Sequence, residues 1–203
     1  MSQWNKLATP KSLIKTVKVL KANGIDTIVV ESGKQAKQKV LELLPKGAEV
    51  MTMTSVTLDT IGLAHEINES GNYNSVEQKF MGMNRETQGL EMQKMGTAPE
   101  WVVGSVHAVT QDGQVLIASN SGSQLPAYAY GSSHVIWVVG AQKIVKNLDR
   151  GMRRIRDYTF RLEDERAKKA YGVGSGINKI LIINKEIIPD RITLILVNEV
   201  LGF

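Results

Sequence analysis

The chain has 203 residues, of which 42% are hydrophobic, a net charge of +5 and no cysteine. This length and apolar content favour a single domain over 1–203, and the lack of cysteine excludes disulfides, thiol catalysis, zinc–thiolate sites and protein-ligated iron–sulfur clusters. The first residues lack the apolar core of a signal peptide, and no apolar run approaches the roughly 20 residues of a membrane span. We therefore expect a cytoplasmic protein without membrane contact.

The first half of the chain alternates between helical and extended patterns. Thr9 and Pro10 can start a helix that ends at Asn23 and Gly24, so 1–24 is assigned to an N-terminal helix. Three further elements are expected: a strand over 26–31, a helix over 34–44 and a buried strand over 49–54.

The next two segments, 54–59 and 68–99, each allow more than one interpretation. Residues 54–59 join a strand to a helical stripe, and the free backbone N–H groups of such a junction favour an anion. An ordinary Ser or Thr helix cap fits the same residues. Residues 68–99 are polar, with weak helical character and four methionines, and are interpreted as a variable insert or a lid.

Strands dominate the second half of the chain. A β-hairpin is predicted near 106–119, because Asp112 and Gly113 separate two apolar runs. The other expected elements are strands over 101–103, 135–139, 179–184 and 192–197 and a helix over 148–169. Strands and helices alternate through much of the chain, so the predicted fold class is α/β, with a largely parallel twisted sheet flanked by helices.

The charge surplus lies in one stretch. Residues 141–170 hold ten Lys or Arg against five Asp or Glu. Leu148, Met152 and Ile155 recur at helical spacing, which places the arginines on the solvated sides of an amphipathic helix. These are Arg150, Arg153, Arg154 and Arg156. No aromatic residues interleave with them, so nucleic-acid binding is not favoured.

Three polar loops can meet at the carboxyl ends of parallel strands, where open α/β sheets bind ligands. They predict a site for a small anionic metabolite whose ligand-binding residues are Ser55, Thr57, Asn120, Gly122, Ser123, Gln124 and Lys143. Lys143 is predicted as the main charge contact, although a solvated turn lysine fits its position equally well. No P-loop, dinucleotide fingerprint or metal-spaced histidine set is present, so no cofactor and no metal are expected.

Catalytic residues are harder to assign from the sequence. Glu31 and Glu199 follow the first and last strands and are candidate bases or nucleophiles, but strand-end carboxylates are also common as solvated ends. For His65, His107 and His134, structural or surface roles are favoured over catalysis.

Five segments together resemble the lactate-utilisation (LUD) domain family. They are 54–63 (TSVTLDTIGL), 107–113 (HAVTQDG), 121–124 (SGSQ), 138–145 (VVGAQKIV) and 191–203 (RITLILVNEVLGF). The chain departs from the family pattern at His107, where asparagine is usual, and at 171–178, where many relatives carry a cysteine-rich loop.

The resemblance implies the fold of ribose-5-phosphate isomerase, glucosamine-phosphate deaminase and the CoA transferases. It also implies a link to lactate oxidation alongside iron–sulfur partner proteins. Fold alone does not establish chemistry, so three functions stay open. They are an anion site for a sugar phosphate, hydroxy acid or CoA ester, a non-catalytic subunit that docks an iron–sulfur oxidoreductase, and a CoA-transferase-like or sugar-phosphate-isomerase-like enzyme. Assembly into a homo-oligomer is also left open.

Overall fold

The computed structural model describes residues 2–203, in which helices and strands alternate over most of the length. The helices are α1 (Pro10–Ala22), α2 (Gly33–Leu43), α3 (Val56–Thr60), α4 (Leu63–Glu69), α5 (Val76–Met81), α6 (Arg85–Thr97), α7 (Leu148–Arg154) and α8 (Phe160–Tyr171). The strands are β1 (Asp26–Val30), β2 (Glu49–Thr52), β3 (Asn74–Ser75), β4 (Trp101–Gly104), β5 (Ala108–Thr110), β6 (Val115–Ser119), β7 (His134–Gly140), β8 (Ile144–Val145), β9 (Lys179–Ile183) and β10 (Ile192–Val197).

The larger sheet has six strands in the order β1-β10-β7-β4-β2-β3, and every pair in it is parallel. Long crossover connections join its strands, as parallel pairing requires. Most of them contain helices, whereas the one from β4 to β7 contains β5 and β6. The predicted α/β fold with a largely parallel sheet is confirmed. The carboxyl ends of its strands all lie at one edge, which is the edge where the sequence predicts the ligand site.

A second sheet has four strands of mixed direction in the order β8-β5-β6-β9. Strands β5 and β6 pair in antiparallel fashion, with Ala108 opposite Leu116 and the turn at Asp112 and Gly113. The predicted hairpin near 106–119 is therefore confirmed.

The core is built in layers on both sides of β7. Val135, Trp137 and Val139 pack toward the second sheet and α1, whereas Ile136 and Val138 pack toward α2, α3 and α4. A third apolar cluster lies between the second sheet and α7 with the turn that follows it. The order of layers is therefore helices, the parallel sheet, the mixed sheet and a second set of helices. Successive side chains of β7 point to opposite faces of the parallel sheet, and β7 is apolar throughout because both faces are buried.

The helix predicted over 148–169 has an irregularity in its middle. A π-helical turn over Ile155–Thr159 joins α7 to α8. Such π turns are rare, and those inside α-helices are frequently found at functional sites. Here the turn brings Ile155 and Thr159 onto the wall of the cavity described below.

The segment 68–99 contains the end of α4, the edge strand β3 and helices α5 and α6. Its interpretation as a variable insert or lid stays a prediction. Within residues 2–203, no helix has both the length and the apolar character that crossing a bilayer demands.

Candidate functional site: a cavity at the strand ends

A cavity of about 380 Å³ opens at the carboxyl ends of three neighbouring strands of the parallel sheet. Ser55 follows β2, Ser105 follows β4 and Lys143 follows β7, and all three residues line the cavity. The second sheet, the π turn and α8 supply the opposite walls. This volume is in the range of ordinary small-molecule pockets.

Lys143 is the most unusual residue of the cavity, because its side chain is only 1% exposed. Its Nζ donates hydrogen bonds to Thr57 Oγ1 and to Ser105 Oγ, each at 3.0 Å. No carboxylate lies within ion-pairing distance of it anywhere in residues 2–203. The alternative of a solvated turn lysine is therefore wrong.

The chain after β7 accounts for this burial. A 3₁₀ turn over Ala141–Lys143 directs the lysine back beneath the strand ends. Gln142, in the same turn, donates from Nε2 to the carbonyl oxygens of Leu201 at 2.9 Å and Gly202 at 3.2 Å. Thr57 Oγ1 also donates to Leu201 O at 3.4 Å. The segment after β10 thus holds both Lys143 and its hydroxyl partner in place.

Burial lowers the pKa of Lys143 well below its ordinary value, and the charge of Arg154 lowers it further. Both effects disfavour the ammonium form, the first by removing water and the second by like-charge repulsion. A ligand anion would act in the opposite direction, because it supplies the negative charge that the protein does not.

Arg154 corrects one of the sequence predictions. It was expected on a solvated helix side with Arg150, Arg153 and Arg156, but its side chain is fully buried. Nη1 donates to His107 O at 2.6 Å and to Thr159 Oγ1 at 3.0 Å. Several arginines lie close together along this helix, and nothing in the sequence indicates which of them faces the protein interior.

The remaining guanidinium nitrogens of Arg154, Nε and Nη2, are buried without a hydrogen-bond partner among the described residues. Burial lowers the pKa of Arg154 to about 10, so the group stays charged at neutral pH. Its central carbon lies 5.4 Å from the centre of the Tyr158 ring, a weaker partner for a cation than a carboxylate. Two buried basic side chains, Lys143 and Arg154, therefore share this region of the protein.

His107 lines the cavity beside these two cations. Its Nδ1 accepts the N–H of Ala118 at 3.1 Å, which fixes the neutral tautomer with the proton on Nε2. Burial, with the charges of Lys143 and Arg154, lowers the pKa of His107 to about 3. The imidazole is therefore a neutral hydrogen-bond donor at physiological pH, in a place where only a surface or structural role was expected.

Tyr128 closes the cavity below Ser105 and is 1% exposed. Its hydroxyl reaches the backbone of Gly104 so closely that a Cβ added there would lie 1.8 Å from Tyr128 Oη. Glycine at the end of β4 is thus required for the ring to occupy this position.

The predicted loop residues Gly122 and Gln124 are held by Ser119. Gly122 N donates to Ser119 Oγ at 2.8 Å, and the same hydroxyl donates to Gln124 Oε1 at 2.8 Å. Gln124 lines the cavity, whereas Gly122 is not among its lining residues and adopts a φ of +88°. These two residues shape the loop, and their contact with a ligand stays a prediction.

Asn120 and Ser123 also line the cavity. Asn120 Oδ1 accepts from Asn178 Nδ2 at 2.7 Å. This bond connects the loop to residues 172–178, named the glycine strap here, which fall within the segment 171–178 where the sequence departs from the family resemblance. Ser175 N donates to Asp164 Oδ1 on α8 at 2.9 Å, which anchors the middle of the strap. The cavity mouth is therefore framed by polar groups that mostly bond to one another.

Acidic residues lie on the cavity wall as well. Arg166 makes a two-pronged ion pair with Glu163 at 2.7 and 2.8 Å, so these two charges balance each other. Glu77 on α5 lines the cavity, and burial raises the pKa of its carboxyl group. The sequence analysis missed Glu77 and Ser105, since neither lies in a motif that signals a ligand site.

The two candidate catalytic carboxylates lie outside this cavity, near the start of α2. Glu199 Oε2 accepts the N–H of Gly33 at 2.8 Å, and Glu31 Oε2 accepts from Asn198 Nδ2 at 3.0 Å. Glu31 borders a separate, shallower groove. Neither carboxylate is brought next to Lys143.

Comparisons with known proteins agree with this architecture. The LUD domain family model matches residues 13–197. The crystal structure of a DUF162 family protein from Deinococcus radiodurans is similar with a TM-score of 0.59 and 12% sequence identity, over 95% of this chain and 100% of that one, a likeness that concerns the fold alone. The crystal structure of eIF2B beta from Chaetomium thermophilum aligns with a TM-score of 0.39 and 14% identity, over 58% of this chain and 44% of that one. No curated protein matches the chain.

Proposed function

Because the chain belongs to the LUD domain family, with its association with lactate utilisation, we propose that the cavity binds a small organic anion of lactate or related organic-acid metabolism. Lys143 is its main charge contact. The hydroxyls of Ser55 and Ser105 supply neutral donors at the same strand ends. Thr57, whose own hydroxyl proton goes to Leu201 O, positions the Lys143 amine.

The observation that carries the proposal is the pair of buried cations without an acidic partner. Lys143 is 1% exposed and Arg154 fully buried, and neither forms an ion pair within residues 2–203. An unpaired buried charge is costly to the folded state. A carboxylate or phosphate beside Lys143 would reduce that cost, so the cavity favours an anion.

The hydrogen-bond geometry of Lys143 is consistent with this role. An ammonium group has three N–H donors, and Thr57 and Ser105 accept two of them. The third is left for a ligand oxygen. Neutral donors nearby include the Nε2–H of His107, whose Nδ1 is already engaged by the backbone.

The volume of about 380 Å³ favours a small acid over a large ester. A hydroxy acid of three or four carbons fits inside, whereas a CoA ester would keep its nucleotide part outside the cavity. A sugar phosphate lies between these cases. The transferase and isomerase alternatives would need a carboxylate beside the ligand, and the predicted candidates Glu31 and Glu199 lie elsewhere. Of the carboxylates that line the cavity, Glu163 is paired with Arg166, which leaves Glu77 on α5 as the candidate for those chemistries. Docking of an iron–sulfur partner stays a prediction from the family resemblance.

Thermal unfolding with a panel of anions tests the proposal. The panel holds L-lactate, D-lactate, glycolate, ribose 5-phosphate and inorganic phosphate, each against sodium chloride of equal ionic strength. At a concentration about 100 times its Kd, a specific ligand stabilises the fold by about 2.7 kcal/mol, which is several degrees in Tm.

Two substitutions make the test specific. Lys143→Met removes the charge and should abolish the ligand-dependent shift. Lys146→Met removes an exposed lysine from the same segment and should leave the shift intact. If the Lys143 variant keeps the full shift, or if no anion in the panel stabilises the unaltered protein beyond sodium chloride, the proposed site is wrong.

A further inference from the structure

The two hydroxyl partners of Lys143 have a second consequence when its amine is neutral. A neutral primary amine has two N–H groups and one lone pair. Thr57 Oγ1 and Ser105 Oγ are placed to accept both N–H groups, at 3.0 Å each. The lone pair is then the free position of the nitrogen, on a residue that lines the cavity.

The surroundings of Lys143 favour that neutral form over the ammonium form. Burial and the Arg154 charge both lower the pKa of Lys143, and no carboxylate in the described part of the chain offsets them. A desolvated, neutral lysine is the form that attacks carbonyl carbons in enzymes. The charged and titratable groups that line the cavity are Glu77, His107, Tyr128, Lys143, Glu163, Arg166 and Tyr171. Arg154 does not line the cavity, but its charge acts on both Lys143 and His107.

We propose that Lys143 is a nucleophile that forms an imine with a small 2-oxo acid in this cavity, held by the hydroxyls of Thr57 and Ser105 with its lone pair toward the ligand. This inference rests on the proposed function, since the carboxylate of the 2-oxo acid is the anion that the cavity binds. It adds a covalent step that anion binding alone does not require.

The 2-oxo acid class follows from combining the two properties of the site. The amine requires a carbonyl carbon as its electrophile. The charge of Arg154, which persists when Lys143 is neutral and acts on Lys143, favours a negatively charged ligand. A carbonyl adjacent to a carboxylate satisfies both requirements in a molecule small enough for about 380 Å³.

The step balances without any other reactant. The Nζ lone pair forms a bond to the carbonyl carbon, and the carbonyl π electrons move to oxygen, which takes up a proton as nitrogen loses one. The resulting carbinolamine then expels its hydroxyl group with a second nitrogen proton as water. The products are the imine and one water molecule, and no oxidation or reduction takes place.

Reductive trapping tests the proposal on the full-length protein. The protein is incubated with glyoxylate, the smallest 2-oxo acid, and sodium cyanoborohydride, which reduces an imine to a stable carboxymethyl amine. Peptide mass spectrometry then measures the modified fraction of every lysine at pH 7 and at pH 9. In the unaltered protein, Lys143 should be modified at pH 7 at least about tenfold more than the exposed lysines, because one pKa unit changes the neutral amine fraction tenfold.

The pH dependence separates Lys143 from ordinary lysines. Between pH 9 and pH 7 the exposed lysines should lose reactivity about a hundredfold, since their pKa is near 10.4. Lys143 should change much less over the same range. L-Lactate, which has a carboxylate but no carbonyl, should protect Lys143 and leave exposed Lys146 unprotected.

Lys143→Arg distinguishes the two proposals. Arginine keeps the positive charge but cannot form the imine, so anion-dependent stabilisation should persist while trapping at this position is lost. Thr57→Val, which removes one N–H acceptor, should lower the trapped fraction at Lys143 without changing that of Lys146.

The outcomes are separable. If anions stabilise the protein but Lys143 in the unaltered protein is trapped no faster than the exposed lysines, the imine proposal is wrong and anion binding stands. If Lys143 is trapped selectively without any anion-dependent stabilisation, the nucleophile stands and the charge-contact proposal fails. Absence of both effects overturns both proposals.

Discussion

The protein buries two arginines in opposite ways. Arg191 is 3% exposed and uses all three of its guanidinium nitrogens. Its acceptors are Ser132 O, Ala127 O, Tyr128 O and Glu186 Oε2. Arg154 is fully buried, yet only one nitrogen has acceptors and no carboxylate pairs with it in residues 2–203.

The contrast shows that this fold can satisfy a buried arginine completely. The missing partners of Arg154 are therefore a local property of the cavity region. A buried charge without a partner raises the free energy of the folded state, and here it lies beside a second buried cation, Lys143. Arg191 is fully paired and Arg154 is not, so we expect their substitution to change the free energy of unfolding by different amounts.

The largest effect is expected for Arg191→Met. The substitution leaves the Glu186 carboxylate, 10% exposed, without its ion-pair partner at 2.7 Å and removes the donors for three carbonyl oxygens. The free energy of unfolding should fall by about 3–5 kcal/mol, as measured by urea denaturation. Lys15→Met, which breaks the exposed pair of Lys15 with Asp112, is the control and should cost less than about 1 kcal/mol. Equal losses in both variants would contradict the comparison.

Gly104→Ala should have the next largest effect, because Tyr128 contacts both Arg191 and the strand end that borders the cavity. The Tyr128 carbonyl accepts from Arg191, while its hydroxyl lies where the new methyl group would be placed, 1.8 Å away. Displacing the ring should cost about 1–3 kcal/mol of unfolding free energy, the usual range for overpacking, and should also weaken anion binding.

Gly89→Ala is the matched control for this substitution. Gly89 lies within α6, and an added Cβ meets nothing within 4 Å. Alanine in a helix should therefore stabilise the protein by about 0.5–1 kcal/mol. A stabilised Gly104→Ala variant would show that Tyr128 has room to move.

Acid should destabilise the cavity region through His107. Its pKa is about 3 in the folded protein and 6.5 in the unfolded chain, so the unfolded state binds more protons between these values. Stability is then lost as the pH falls through this window, by at most about 1.4 kcal/mol per pH unit. His107→Asn, which replaces the imidazole with an amide that does not titrate, should flatten the dependence in urea titrations at pH 4 to 7. His65→Asn, at an exposed histidine, should leave it unchanged.

Arg154→Met should have the smallest effect on stability, in contrast to Arg191→Met. Loss of the two Nη1 hydrogen bonds is offset by removal of an unpaired buried charge, so the unfolding free energy should change by about 1 kcal/mol or less. The pKa of His107, measured by NMR, should rise above 3, since the Arg154 charge contributes to lowering it. A loss as large as that of Arg191→Met would mean that Arg154 is already satisfied within the fold.

Much of the fold could be predicted from the sequence, because its signals are local. The Asp112–Gly113 turn between two apolar runs predicts the hairpin, and the apolar run after His134 predicts a strand buried on both faces. The pairing of β5 and β6 away from the parallel sheet was not predicted, since nothing local distinguishes strands of one sheet from strands of another.

The site was less accessible to sequence reasoning. The position of Lys143 after a strand indicated the correct edge of the sheet, but its burial depends on contacts of Gln142 with the segment after β10, some 60 residues further along. The inward face of Arg154 is set by the packing of the helix on the second sheet. Long-range contacts of this kind leave no pattern in the local sequence.

The burial of Lys143 close to the charge of Arg154 also couples anion binding to proton uptake. An anion beside Lys143 favours the ammonium form that burial and the Arg154 charge disfavour, so anion binding raises the pKa of Lys143 and draws protons from the solution wherever the amine titrates. The heat of binding would then include the ionisation heat of the buffer, and affinity would weaken as the medium becomes more alkaline. A protein built in this way holds its ligand according to the acidity of its surroundings as well as the ligand's concentration.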